Sequence, residues 1–284
     1  MSILALSLIL ASAVIHATWN LFAKRLSGGG ETVWLFTAAA AALYAPVAAV
    51  TIAVTGYQPG GADLVFLLGT GVLQTLYFVV LRRGYATDDL SIVYPLARGT
   101  GPLVAVVLAT ALVGERPSPL TAAGAGVVAL GTLLLVTPVS RQSDHRKGAL
   151  LGMATGVIIG CYTVWDGYAV GSLAIPALLL AWAGDAGRMV LLTPLALRRR
   201  MLLSTQICNH RRELLAVAVL STLSYVMVLA AMEIAPISSV APARELGIVI
   251  GALFGMLLLG EPGGWRRVSS AAVITAGVGL VALG

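Results

Sequence analysis

The chain has 284 residues, of which 58% are hydrophobic and 11% charged, whereas a soluble domain carries about 25% charged residues. That composition excludes an ordinary soluble enzyme or binding domain. The net charge of +6 sits in short loops rather than on a basic helix, so no nucleic-acid partner is expected. The two cysteines and three histidines are scattered too widely for a disulfide framework or a metal site, and no cofactor is expected.

A bilayer core needs about 20 apolar residues per helix, and breaks rich in glycine and proline divide the chain into ten predicted spans. They cover residues 3–23, 32–54, 63–82, 90–113, 118–138, 148–169, 173–197, 213–232, 237–259 and 265–283. The first lacks the positively charged start of a signal peptide and is kept as a span. SGGGE, TGYQPGGAD, GERPSP and GEPGG supply turn chemistry between spans. The longest polar loops are predicted at 139–147 and 198–213.

Shifting the chain on itself by 146 or 147 residues aligns landmarks of unlike chemistry. Trp19-Asn20 meets Trp165-Asp166, Ser91 and Pro95 meet Ser238 and Pro242, Arg98 meets Arg244, and Gly114-Glu115 meets Gly260-Glu261. The expected organisation is a first repeat over 1–138, a basic linker over 139–147 and a second repeat over 148–284. Five helices per repeat is an odd number, so the second half enters the membrane inverted. The predicted fold is an all-α integral membrane protein, ten transmembrane helices in two inverted five-helix repeats around a central cavity. Lysine and arginine crowd the loops of one side, while the other side's loops offer only Arg116. By the positive-inside rule both termini are expected outside.

Two stretches carry charge where apolar residues should be: YPLARGTGP from Tyr94, and APARELG from Ala241. Arg98 lies on the order of 12 Å below one face, and Arg244 about as far from the other. An arginine at that depth costs roughly 3 kcal/mol and normally faces a bundle interior or wet cavity. Two readings stay open: a guanidinium gripping a carboxylate or phosphate, or one bonded to carbonyls that Pro95, Pro102 and Pro242 leave free.

Ser12, His16, Trp19 and Asn20 share one face of the first helix, and Tyr162, Trp165 and Asp166 share one face of the sixth. Such stripes predict cavity lining, with helix-to-helix hydrogen bonding as the alternative. Gln74 and Tyr77 on the third helix, with Ser221 and Tyr225 on the eighth, extend the same wall, and Tyr94 flanks Arg98. The halves differ in charge: Asn20 is answered by Asp166, Gly99 by Glu245, and Ala39 and Ala42 by Asp185 and Arg188. Asp185 and Arg188, three apart, are expected to neutralise each other. Asp166 has no partner on its own helix and is the candidate proton carrier, a role His16 could share. Glu245 follows Arg244 but points about 100° away around a helix, so adjacency does not pair them. The GxGxxA matches at Gly124 and Gly277 lie in apolar spans and predict close helix packing rather than a dinucleotide site. The Gly-Glu pairs after spans four and nine are expected to be helix ends in solvated turns.

With these residues in view, the segment YFVVLRRGYATDDLSIVYPLARGTGPLVAVVLATALVGERPSPLTAAGAGVVALGTLLLV, from Tyr77 to Val136, resembles the EamA-type repeat of the drug/metabolite transporter superfamily. YVMVLAAMEIAPISSVAPARELGIVIGALFGMLLLGEPGGWRRVSSAAVITAGVGLVAL, from Tyr225 to Leu283, resembles its second copy, and ATWNLFAK at Ala17 to Lys24 is similar to the family's opening stretch. The resemblance implies ten helices around a cavity, alternating access, and export or exchange of small metabolites. Arginine after the prolines of spans four and nine departs from the usual pattern.

The expected function is secondary active transport, not catalysis, of a small polar or anionic metabolite, amino acids first. The partners expected are that solute, the lipid bilayer and protons as coupling ion, in the inner membrane of a bacterium, as a monomer or weak homodimer. The substrate-binding candidates are Arg98, Arg244, His16, Trp19, Asn20, Gln74, Tyr77, Tyr94, Tyr162, Trp165, Tyr225 and Glu245. A phosphorylated or lipid-linked solute is one alternative. An intramembrane enzyme is another, but no serine or cysteine carries a supporting motif.

Overall fold

The computed structural model describes residues 1–26, 29–136, 145–259 and 264–284. These form helices α1 (Ile3–Ala23), α2 (Gly30–Thr55), α3 (Gly61–Thr87), α4 (Leu90–Leu108), α5 (Pro119–Leu133), α6 (Arg146–Gly171), α7 (Ala177–Arg198), α8 (Arg200–Ile234), α9 (Ile237–Ala243), α10 (Leu246–Leu259) and α11 (Trp265–Leu283). A π-helical turn, Ala109–Val113, extends α4. Among the described residues nine segments are long and apolar enough to cross a membrane, with α9 and α10 joined into one; α5, also apolar, is shorter at 15 residues. Predicted linker residues 139–144 and the Gly260-Glu261 pair lie outside the described residues.

Local chemistry sets many of the ends. Ser2 accepts from the Ala5 N–H at 3.2 Å to start α1, and Ser118 accepts from the Thr121 N–H at 3.0 Å, ahead of Pro119, to start α5. Gly56, at φ 64°, closes α2 in the left-handed region. One expectation fails. The polar loop at 198–213 is helical from Arg200, and α8 reaches its span through a kink at His210 (φ −132°, ψ 29°). No proline or glycine interrupts RMLLSTQICNHRR, so its polarity does not prevent a helix up to the kink at His210.

Large apolar side chains such as Val54, Leu68 and Val107 are exposed on the outside of the bundle, as expected of a surface that meets lipid. Inside, small residues let helices meet at backbone range. Gly148, Gly152, Gly156 and Gly160 recur every fourth residue along one face of α6. A Cβ on the last three would come within 2.9 Å of Val93, 2.5 Å of Thr100 and 2.4 Å of Val104 respectively. This ladder seats α6 of the second half against α4 of the first. Gly124 and Gly277 do the same for α5 and α11, as the GxGxxA spacing predicts, and Gly71 and Gly187 do so for α3 and α7. The Met1 ammonium donates to the Ala282 carbonyl at 3.0 Å, so both termini lie on one face.

Candidate solute site

Helices of both halves converge where the ninth span breaks. α9 ends at Ala243, α10 begins at Leu246, and the break presents Arg244 and Glu245. Glu245 turns to the opposite half, its Oε2 lying 3.0 Å from Nε of Arg98 on α4. The two atoms sit at ion-pair distance without the alignment of a hydrogen bond. The Arg98 side chain is 13% exposed and that of Glu245 4%. Tyr94 lies one turn before Arg98 on α4, and the Tyr77 and Tyr162 rings meet edge-on at 5.8 Å.

Arg244 has different company. Its Nη1 lies 3.4 Å from the Thr163 hydroxyl, and its guanidinium carbon is 5.8 Å from the centre of the Tyr225 ring. Among the described residues no carboxylate comes within ion-pair distance of it. Tyr225 links it to a third charged group by donating its hydroxyl hydrogen to Oδ2 of Asp166. Gln74 donates to the same oxygen at 3.1 Å and lies 3.0 Å from the Thr70 hydroxyl. Asp166 is fully buried, and among the described residues its Oδ1 has no hydrogen-bond partner.

The remaining candidates divide. His16 packs edge-on against Trp19 at 4.9 Å, beside Gly247. Among the described residues the buried Trp19 Nε1 has no hydrogen-bond partner. Asn20 is exposed and donates to the His16 carbonyl at 2.8 Å. Trp165 turns to α3, stacking on Phe66 at 4.3 Å and donating to its carbonyl at 3.1 Å, in space that Gly69 leaves open. Ser12 is taken up by Ser224 through hydrogen bonds of 2.8 and 3.1 Å in opposite directions, which is the helix-bridging alternative. Arg188 and Asp185 pair as expected, and Thr222 holds the second Asp185 oxygen at 2.6 Å.

The chamber between Arg98, Thr163, Ala241, Arg244 and Glu245 has a volume of about 10 Å³, the space of about one water. The space among these residues is therefore far smaller than the central cavity anticipated from sequence, and the Glu245 carboxylate fills the place beside Arg98. Two features escaped sequence reading. Thr163, one turn before Asp166, looks like an ordinary membrane threonine. Glu115 is not left in a solvated turn: its carboxylate accepts from the Ile237 and Ser238 N–H groups of the other half, at 2.7 and 2.9 Å.

On the positively charged side, His145 Nδ1 lies 2.8 Å from Asp88 Oδ1, joining the α3–α4 turn to the start of α6. The hydrogen bond to His145, with that from the Asp89 N–H, holds the Asp88 carboxyl below the usual carboxylate range. Asp88, Asp89 and His145 offer atoms within 4.8 Å of one another.

Charged and aromatic groups are enclosed where the two repeated helical bundles meet. A model of the EamA-like transporter family matches residues 3–137 and again 146–283, and the chain belongs to that family. A crystal structure of another protein shares the fold, with a TM-score of 0.75 over 98% of this chain and 98% of that one at 15% identity. No curated protein matches the chain.

Proposed function

We propose that this transporter carries a small polar or anionic solute, with amino acids the first class, by alternating access, and that Arg244 is its anion anchor. The observation behind this reading is the inequality of the two arginines. Arg98 is already neutralised by Glu245, whereas Arg244 lies beside a hydroxyl and an aromatic ring and meets no carboxylate among the described residues. A guanidinium without an ion-pair contact inside a membrane protein is costly, and a solute carboxylate would supply that contact in bidentate geometry. A zwitterion suits the surroundings because Glu245 and Asp166 lie close by for an ammonium group.

Asp166 is the proton carrier in this reading: it is a fully buried carboxylate whose Oδ1 has no hydrogen-bond partner among the described residues. Transport is export or exchange across the inner membrane of a bacterium, with both termini outside and with the protein acting as a monomer or weak homodimer. The test uses purified protein in liposomes, offered labelled amino acids, nucleosides and organic anions. Saturable amino-acid flux that is lost in Arg244→Ala supports the reading; flux indifferent to that change overturns the anchor. Arg244→Lys separates charge from geometry, because an ammonium cannot make the bidentate contact.

A further inference from the structure

We propose that α9 is a plug held shut at both ends by the first half, and that Glu115 is its latch on the face that holds the termini. The inference rests on the central site proposed above only at the inner end of α9; the latch itself stands on separate contacts.

The latch is built from local chemistry. Gly114, at φ 80°, ends the π-helical turn in the left-handed region and reverses the chain. Glu115 then reaches the first turn of α9, 122 residues away, and each of its two oxygens accepts one backbone hydrogen. Pro236 precedes α9 and has no N–H, so the first two orphan donors of that helix are those of Ile237 and Ser238. Glu115 satisfies both, and a carboxylate at a helix N-terminus is stabilised by the axial dipole as well.

At its other end, α9 runs into Arg244 and Glu245, and Glu245 pairs with Arg98 of the first half. Seven residues span about 10 Å, so one short rigid helix links the two contacts. Every residue of α9 from Ile237 to Ala243 is buried. Ile237 also presses on Gly167 of α6, where a Cβ would come within 2.6 Å. Beyond the latch lies an open cleft of about 340 Å³ lined by Glu115, Gly167, Tyr168, Ser172, Glu233 and Ile237. Its volume is within the range that holds small metabolites, while the chamber behind α9 has about 10 Å³. α9 is the wall between the two. For a solute to pass from the cleft to Arg244, α9 must leave the first half, and Glu115 must release two hydrogen bonds.

Distances between spin labels on either side of the cleft test this. Leu112→Cys and Ile234→Cys, both at exposed positions, are labelled in full-length protein carrying Cys161→Ser and Cys208→Ser. With Glu115 in place a single short-distance population is expected. Glu115→Ala should shift the distribution to a second, longer-distance population, and an unchanged distribution in folded protein overturns the latch. If the alanine variant does not fold, Glu115→Gln serves: it keeps the side-chain shape and loses the charge. A smaller longer-distance share is then expected, and no change again overturns the proposal. The measurement needs no solute, so an unchanged distance and a failed flux assay are separate outcomes.

Discussion

Glu245 lies 3.0 Å from Arg98, on the opposite half of the molecule, rather than neutralising its own neighbour Arg244. This contact makes two pseudo-equivalent arginines chemically unequal. It also predicts a double-mutant signature. Removing one partner of a buried pair leaves an uncompensated charge, at a cost of about 3–5 kcal/mol. Glu245→Ala should therefore lower the melting temperature in detergent sharply, and adding Arg98→Ala should recover much of the loss. Additive losses in the double variant would mean that the two side chains are not coupled.

Asp166 is the group through which protonation is expected to act. Asp166→Asn should abolish the response of flux to a pH gradient while solute binding persists. Tyr225→Phe, which removes one donor to Asp166 but keeps the ring under Arg244, should alter the pH response more than binding. Full coupling in Asp166→Asn liposomes would remove the residue from the proton path.

The α6 glycine ladder predicts a steric contrast. Gly156→Ala places a methyl 2.5 Å from Thr100 Cβ and 2.9 Å from the Ala97 carbonyl, an overpacking that should cost about 1–3 kcal/mol. Gly126→Ala meets nothing within 4 Å and should be neutral or gain about 0.5–1 kcal/mol from helix entropy. Equal melting temperatures for the two variants would contradict close α4–α6 packing.

On the positively charged side, the folded-state pKa of Asp88 is held below the usual carboxylate range by His145 and the Asp89 N–H. Its contribution to stability is therefore present above the ordinary carboxylate value of about 3.9 and disappears as pH falls through the lower folded value. Asp88→Asn should melt lower than the parent at pH 7, and the two curves should converge in strong acid. A gap that is constant with pH would show that the Asp88 charge does not matter.

What the sequence determined by itself is what bilayer thickness and local chemistry dictate. The first span is predicted at 3–23 and found at Ile3–Ala23; the last is predicted at 265–283 and found at Trp265–Leu283. Apolar length is a property of a segment and needs no partner. The repeat was equally legible, because residues as unlike as tryptophan, proline and arginine keep one offset. The GxGxxA spacing pointed to close packing for the same local reason.

Only tertiary structure decided which polar group meets which. A rotation of about 100° per residue sends Arg244 and Glu245 to different neighbours, so Glu245 finds Arg98 while Arg244 finds Thr163 and Tyr225. Trp165 and Asp166 part company in the same way, one to Phe66 and the other to Gln74 and Tyr225. Glu115 looks like a solvated turn until α9, from the other half, brings it two unsatisfied donors. In a low-dielectric interior each buried charge is governed by whatever lies within a few ångströms, and that is set by how the two halves dock.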